Sequence, residues 1–172
     1  LDSDNWPMNS LDTRSPEDYA IEEKFNAIIR AYKGIDEMLG WKPNYVFGLS
    51  GGIDSSLAAT LAVLALGKDR VLGFNLPSKY NSNKTKNVAK ELATKLDISY
   101  QVIPIEELFA ATTWAIAGFN TDKLSSLIQE NIQAKIRGTS ILSNLAAINN
   151  GVMTNNGNKL EVALGYSTLY GD

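Results

Sequence analysis

The stretch FGLSGGIDSS, residues 47–56, is the most informative part of the sequence, because it joins an apolar strand-like run directly to an apolar helix-like run. The residues YVFGL (45–49) have the length and composition of a buried strand, and Leu57 to Leu66 form an apolar helical run that Gly67 ends. Gly51 and Gly52 lack a Cβ, so the chain there can adopt positive φ and approach a ligand closely. The stretch therefore predicts a tight turn between a strand and a helix.

The composition of this turn is typical of an anion site. A helix that begins directly after it points several backbone N–H groups, and the positive end of the helix dipole, at one spot. Ser50, Ser55 and Ser56 add hydroxyl donors to that spot. Asp54 would repel bound phosphates, so its presence is explained if a Mg²⁺ ion bridges the carboxylate and the phosphates.

Two common phosphate-binding loops do not fit this stretch. A Walker loop requires a lysine after its glycines, and none is present. The G-x-G-x-x-G fingerprint requires a different spacing from that of Gly48, Gly51 and Gly52. A structural alternative is a plain turn in which Ser50 and Asp54 only cap the helix. The complete SGGIDSS string favours nucleotide binding.

The rest of the chain predicts an α/β domain. RVLGFNL (70–76) and ISYQVIPI (98–105) are predicted strands, whereas NSNKTKNVAKELATKLD (81–97) and residues 121–148 have helical patterns. Ser15, Pro16 and Asp18 predict the start of another helix, which Gly40 ends. Residues 1–15 are predicted to be a linker and residues 16–172 the domain, with 151–172 of mixed character. Such alternation indicates a parallel sheet with helices on both faces, in which ligands bind at the carboxyl ends of the strands.

The composition excludes several classes of function. The 172 residues suffice for one domain, and the net charge of -3 argues against a nucleic-acid partner bound by general attraction to phosphates. The chain has no cysteine and no histidine, which excludes Cys or Ser-His catalysis and thiolate or imidazole metal sites. No apolar run is long enough to span a membrane, so we expect no membrane partner and, by default, a cytoplasmic location. Because the sequence begins at Leu1 without Met, we expect the chain to be a fragment of a longer protein.

The loop SGGIDSS resembles the pyrophosphate loop of the ATP pyrophosphatases, which cleave ATP to AMP and PPi. Three further segments resemble, in order and spacing, those of the NAD synthetase family; they are LPSKYNS (76–82), ENIQAKIRGT (130–139) and GNKLEVALGYSTLYGD (157–172). The last is similar to the glutamine-dependent branch, because ammonia-dependent enzymes typically carry a lysine where this chain has Leu169. The resemblance covers about residues 44–172 and implies an adenine-nucleotide alpha-hydrolase-like (ATP pyrophosphatase) fold, truncated at its C-terminus.

The resemblance also implies a reaction. In this family the nicotinate carboxylate of deamido-NAD attacks the α-phosphate of ATP, which gives an adenylate and PPi, and ammonia then displaces AMP to give NAD. Such a site requires charge neutralisation and positioning more than a protein nucleophile, so the absence of Cys and His is compatible with it. The glutaminase domain of the glutamine-dependent enzymes uses a catalytic cysteine and is absent from this chain. Family members pair through helices, so we expect a homo-oligomer, with apolar residues of 121–148 as the candidate contact.

The site residues that the resemblance implies fall into three groups. The ATP group is Gly48, Leu49, Ser50, Gly51, Gly52, Ile53, Asp54, Ser55 and Asn156, the last standing where the family commonly has a threonine. The deamido-NAD group is Asn131, Arg137, Glu161, Tyr166, Ser167, Thr168 and Leu169. The Mg²⁺ ligands are Asp54 and Glu161. Lys79 stands where the family often has an arginine, in a loop expected to move over the nucleotide.

Two alternatives remain open at this point. The first is another synthetase of the same superfamily, such as a GMP synthetase-like enzyme or a tRNA-modifying ATPase; the acidic charge and the absence of cysteine argue against tRNA thiolation, and YSTLYGD argues against GMP synthetase. The second is a nucleotide-binding module without catalytic activity. The presence of both Asp54 and Glu161 argues against this second alternative.

Overall fold

The computed structural model describes residues 15–78, 83–118 and 120–157. The elements in chain order are α1 (Pro16–Leu39), β1 (Asn44–Gly48), α2 (Ile53–Leu66), β2 (Val71–Asn75), α3 (Asn83–Leu96), β3 (Ser99–Val102), α4 (Glu106–Ala117), α5 (Ser126–Lys135), α6 (Ser143–Ile148) and β4 (Gly151–Met153). A π-helical segment, Ile136–Leu142, joins α5 to α6, and short 3₁₀ turns lie at Lys68–Arg70 and Thr121–Lys123. Among these helices, none is both long and apolar enough to cross a bilayer.

The four strands form one parallel sheet in the order β3-β2-β1-β4. β1 lies at the centre, and its successive residues Tyr45, Val46 and Phe47 are all buried. Because β1 is covered on both faces, it lacks the alternation of buried and exposed side chains that is typical of an antiparallel strand with one face in solvent. The predicted parallel sheet with helices on both faces is therefore confirmed, with strand ends that differ by one to three residues from the predicted ones.

Two apolar cores lie on opposite faces of this sheet. On one face, α4, α5, the π-helical segment and α6 pack over Val46 and Phe74. On the other, α2 and α3 pack over Tyr45 and Phe47, and α1 reaches the same cluster through Tyr32. Helices therefore cover both faces of the sheet, so a ligand can reach the strands only at an edge. The carboxyl edge is the one where parallel sheets bind ligands.

Helix α1 begins and ends where its sequence signals predict. The Ser15 hydroxyl accepts a hydrogen bond from the Asp18 N–H (3.1 Å), and the Asp18 carboxylate accepts one from the Ser15 N–H (3.2 Å), which completes a capping box. Gly40 ends the helix with a left-handed φ of 72°.

The structure differs from the sequence analysis at two helices. α4, whose sequence is EELFAATTWAIA, has no predicted counterpart, because its apolar residues lie all round the helix and no side chain caps its start at Ile105. The segment 121–148 is not one regular helix, because the π-helical segment Ile136–Leu142 interrupts it. The Ser143 N–H there donates to the Gly138 carbonyl, five residues back.

An ion pair joins α1 to the start of β2. The Arg70 guanidinium donates to both carboxylate oxygens of Asp36, with Nη1 2.7 Å from Oδ2, and Nε donates to the Pro43 carbonyl at 3.1 Å. The side chains of Arg70 and Asp36 are only 22% and 14% exposed. The hydrogen bonds from Arg70 lower the pKa of Asp36 from its ordinary value. The pair therefore links the α1 layer to the sheet.

We expect Asp36→Asn to lower the free energy of unfolding at pH 7 by ~1.5–3 kcal/mol, the range for a hydrogen bond to a charged group. The carboxylate pKa is lower in the folded state, so its contribution is present above about pH 4 and is lost as the pH falls through the folded-state pKa. Urea denaturation from pH 7 to pH 2 should therefore show the two proteins converging in acid. The exposed Asp122→Asn is the control, and an equal loss in both variants would contradict the role of the pair.

Candidate functional site

The loop between β1 and α2 lies at the carboxyl edge of the sheet. β1 ends at Gly48, where an added Cβ would lie 3.1 Å from Leu142 Cδ1 of the π-helical segment. Gly51 has a φ of 84°, a conformation that a residue with a side chain rarely adopts. Gly52 is the extended N-cap of α2, which begins at Ile53. The left-handed turn that the sequence predicts is found at Gly51, whereas the close packing of Gly48 against Leu142 was not predicted.

The serine hydroxyls of this loop bond to the loop itself. The Ser50 hydroxyl accepts from the Gly52 N–H at 3.1 Å. Ser55 and Ser56 donate to the Gly52 carbonyl, at 3.2 Å and 2.7 Å. Both of these hydroxyls thus bond to the same carbonyl at the start of the helix, and the expectation that Ser50, Ser55 and Ser56 act as anion donors stays a prediction.

The first amides of α2 lie directly after this loop. Ile53, Asp54 and Ser55 occupy the first turn, whose N–H groups have no acceptor within an α-helix. Together with the positive end of the helix dipole, amides in this position favour a negative charge at the sheet edge. The side chain of Leu49, by contrast, is buried in the core, so this residue can contribute only its backbone.

A magnesium ion fits the residues around this loop. Asp54 lies exposed in the first turn of α2, beside the amides that would hold an anion. Over residues 15–78, 83–118 and 120–157 there is no cluster of three or more acidic residues that could hold a metal alone. Mg²⁺ commonly binds through one or two carboxylates, phosphate oxygens and waters, so a single carboxylate beside a phosphate cradle is a suitable donor set.

Asn156 lies next to the end of β1. Its Nδ2 is 3.5 Å from the Gly48 carbonyl oxygen, at the limit of a hydrogen bond. Its Oδ1 is buried and has no hydrogen-bond partner in the part of the chain that the structure describes. A buried acceptor without a partner is unfavourable, so this amide is suited to accept a hydrogen bond from a ligand at the loop.

Away from the loop, a cavity of about 340 Å³ lies between α4 and α5. It is lined by Thr112, Ile116, Ile128, Asn131, Ile132, Lys135, Ile136 and Ser140. The walls are mainly apolar, with Asn131 and the exposed Lys135 as the polar groups on α5. Such a combination suits a ligand with an apolar ring and an anionic group.

Arg137 lies in the same helical rod, which consists of α5, the π-helical segment and α6. It is on the side of this rod that faces the sheet. Its Nε donates to the Leu76 carbonyl at 3.0 Å, and its Nη2 donates to Gln133 Oε1 at 3.2 Å. Burial lowers the pKa of the Arg137 guanidinium from its ordinary value. Two of its donors are therefore used by the protein, and Arg137 does not line the cavity that contains Asn131.

Several predicted site residues lie outside the described residues. They are Lys79, Glu161, Tyr166, Ser167, Thr168 and Leu169. The structure brings Gly48 to Ser55 together with Asn156 at one edge of the sheet, and it places Asn131 in the separate cavity. The roles predicted for all these residues stay predictions.

Lys135 and Gln133 are two residues of this region that were not predicted from the sequence. Helical spacing indicates both residues, because residues four apart lie on the same face of a helix. Asn131 and Lys135 are one such pair, on the face of the cavity, and Gln133 and Arg137 are another, on the face toward the sheet. In ENIQAKIR this spacing places the pair Asn131 and Lys135 on a different face from the pair Gln133 and Arg137.

The fold and the loop define an ATP pyrophosphatase-like α/β protein, and the comparisons with known proteins agree. Residues 31–172 match the family model described as NAD synthase. The chain belongs to the NAD synthase family.

Named relatives and a solved structure support this assignment. The chain is 44% identical over 127 residues to the glutamine-dependent NAD(+) synthetase of Synechocystis sp., covering 74% of this chain and 23% of the relative. It is 41% identical over 128 residues to the NH(3)-dependent NAD(+) synthetase of Methanococcus aeolicus, covering 74% and 49%. The structure of glutamine-dependent NAD+ synthetase from Acinetobacter baumannii in complex with ADP matches with a TM-score of 0.80 and 31% identity, covering 86% and 28%. The chain therefore spans only a part of the length of these relatives.

The positive φ of Gly51 yields a stability prediction. Gly51→Ala should lower the free energy of unfolding by ~1–2 kcal/mol, because a Cβ is strained in the left-handed region. Gly34→Ala is the matched control, since Gly34 lies within α1 with open space around it, and it should raise the free energy of unfolding by ~0.5–1 kcal/mol. Thermal denaturation of both variants tests the sign, and a stabilised Gly51→Ala would contradict the described loop geometry.

Proposed function

We propose that the full protein catalyses the ATP-dependent amidation of deamido-NAD to NAD through an adenylated intermediate, with release of AMP and PPi. The observation that carries this proposal is the phosphate-type loop at the end of β1, in a chain of the NAD synthase family. The nucleotide in the related Acinetobacter baumannii complex further supports ATP as the co-substrate. A cytoplasmic location stays a prediction of the sequence.

The proposed ATP site is the loop from Gly48 to Ser55, together with Asn156. The phosphates would bind the first-turn amides of α2, where the helix dipole favours negative charge. The unpartnered Oδ1 of Asn156 would accept a hydrogen bond from the nucleotide. Because the serine hydroxyls already hold the loop in shape, little ordering of the loop would be required when the nucleotide binds.

Asp54 and Glu161 are the proposed carboxylates for Mg²⁺. The ion would neutralise phosphate charge, which permits two anions, the nicotinate carboxylate and ATP, to approach each other. The contribution of the protein is then to position the phosphates through the α2 amides and to hold the substrate carboxylate in line with the α-phosphate.

The cavity between α4 and α5 is the proposed binding site for deamido-NAD. Its apolar walls suit the nicotinate ring, and Lys135 would bind an anionic group, with Asn131 as a hydrogen-bond donor or acceptor. We extend this site to Glu161 and to Tyr166, Ser167, Thr168 and Leu169. Leu127 and Ile128 of α5 are exposed, so the same helix is the proposed contact of a homo-oligomer.

The glutamine-dependent relatives support a glutaminase domain elsewhere in the full protein as the source of ammonia, with free ammonia as the second source. The chain spans 23% of the Synechocystis relative, which leaves room for such a domain.

The direct test is the formation of AMP and PPi from ATP by the full-length protein, with deamido-NAD or xanthosine monophosphate as the acceptor and with glutamine or ammonium as the nitrogen source. We expect turnover with deamido-NAD and none with xanthosine monophosphate. Turnover only with xanthosine monophosphate would support a GMP synthetase-like enzyme instead. ATP binding without turnover on either acceptor would support the non-catalytic module.

Asp54→Asn and Glu161→Gln test the carboxylates in the same full-length protein. We expect each to reduce turnover by at least ~100-fold, the effect of removing one electrostatic stabiliser from an active site. Each change keeps the size of the side chain, so the melting temperature should change little. Asp54→Asn should also weaken Mg²⁺-dependent ATP binding in calorimetry; unchanged binding would show that the assigned role of Asp54 is wrong.

A further inference from the structure

The hydrogen-bond ladder between β1 and β2 stops beside the nucleotide loop. In the register of this pair Gly48 lies opposite Phe74, and the last bond runs from the Leu49 N–H to the Phe74 carbonyl at 2.8 Å. In a parallel ladder, alternate residues donate, so the next bond would run from Gly51 to Leu76. Gly51 instead turns the chain away with its φ of 84°. The Leu76 carbonyl therefore loses its partner in the ladder.

Arg137 takes the place of the missing strand. Its Nε lies 3.0 Å from the Leu76 carbonyl oxygen, and Leu76 is a buried residue. On the opposite side, the carbonyls of Asn75 and Pro77 accept from the N–H groups of Ile103 (2.8 Å) and Ile105 (3.0 Å). Three successive carbonyls at the exit of β2 are thus held, two of them by the chain that leaves β3 and the middle one by a side chain.

The guanidinium is itself held in position. Gln133, which is buried, accepts from Nη2 at 3.2 Å, so the planar group has a fixed orientation. The Arg137 side chain offers five N–H donors, and these two bonds use two of them. A buried carbonyl that accepts from a charged donor is held more firmly than one that accepts from an amide.

We infer that Arg137 is a positioning residue for ATP and is not a direct contact of deamido-NAD. Arg137 fixes residues 75–78, at the exit of β2, against the nucleotide loop. This role rests on the proposed function. Arg137 faces the sheet, whereas Asn131 and Lys135 of the same helical rod line the separate cavity proposed for deamido-NAD. Loss of the guanidinium should therefore disturb the ATP side of the reaction.

The test compares Arg137→Met, Arg137→Lys and Gln133→Leu in the full-length protein. Arg137→Met keeps the apolar stem and removes every donor. We expect the KM for ATP to rise ~10-fold or more, the effect of one charge-assisted hydrogen bond, with the KM for deamido-NAD within about 2-fold of the wild-type value. Arg137→Lys should restore part of the loss, because an ammonium can donate to Leu76 but cannot form the planar fork. Gln133→Leu should give a smaller rise in the same direction.

Arg30→Met, the same change on the exposed surface of α1, is the matched control and should alter neither KM. Amide hydrogen exchange should also become faster at Asn75, Leu76 and Ser78 in Arg137→Met and should not change there in Arg30→Met. A rise in the KM for deamido-NAD with an unchanged KM for ATP would overturn the inference in favour of direct substrate contact. Equal changes in both KM values with a lower melting temperature, or no change in either, would overturn it as well.

A failure of the proposed reaction remains distinguishable from a failure of this role. If the wild-type protein forms no AMP from deamido-NAD, calorimetric binding of Mg·ATP to the wild type and to Arg137→Met replaces the kinetic comparison. Weaker binding by Arg137→Met with faster exchange at Asn75, Leu76 and Ser78 supports the positioning role. Equal binding by the two proteins overturns it.

Discussion

The hydrogen bond from the Leu49 N–H to the Phe74 carbonyl ends the β1–β2 ladder, and the arrangement of the site depends on where it ends. An open parallel sheet binds ligands outside the carboxyl ends of its strands, beside the point where the strand order reverses, which in this sheet lies between β1 and β4. Because β1 turns away at Gly51, the chain can start α2 directly at the sheet edge and present its first amides there. The same departure leaves the Leu76 carbonyl to Arg137. The turn at Gly51 thus both sets the start of α2 at the sheet edge and leaves the Leu76 carbonyl to accept from the Arg137 side chain.

The rod formed by α5, the π-helical segment and α6 connects the parts of the site. Leu142 of the π-helical segment lies against Gly48 so closely that a Cβ there would be 3.1 Å away. Arg137, in the same segment, reaches the exit of β2, and Asn131 opens onto the cavity. A π-helical turn is wider than an α-helical one, and such turns are frequent at functional sites. In this protein the wide turn lies at the place where the rod contacts the ends of two neighbouring strands.

The loop is also ordered by its own polar groups. Ser55 and Ser56 both donate to the Gly52 carbonyl, and Ser50 accepts from the Gly52 N–H. These bonds give partners to polar groups that the tight turn would otherwise leave without one. A loop that is ordered before it binds loses less conformational freedom on binding. The serine hydroxyls therefore hold the shape of the loop in this structure, beside the positive end of the α2 dipole.

Local sequence signals were sufficient to predict the class of fold, the helix start at Ser15 and the tight turn between β1 and α2. A capping box, a glycine turn and a run of buried strand residues each act within a few positions, so their effects can be read without the fold. These signals did not predict α4, whose apolar residues lie all round the helix and whose stability comes from packing against α5 and the sheet. Nor could they show which way Arg137 faces, because a charged residue in a helix has the same local pattern whether it contacts a substrate or a carbonyl. Folding of the whole domain brings residue 137 to Leu76, 61 positions earlier in the chain, and a contact between residues so far apart leaves no trace in local spacing.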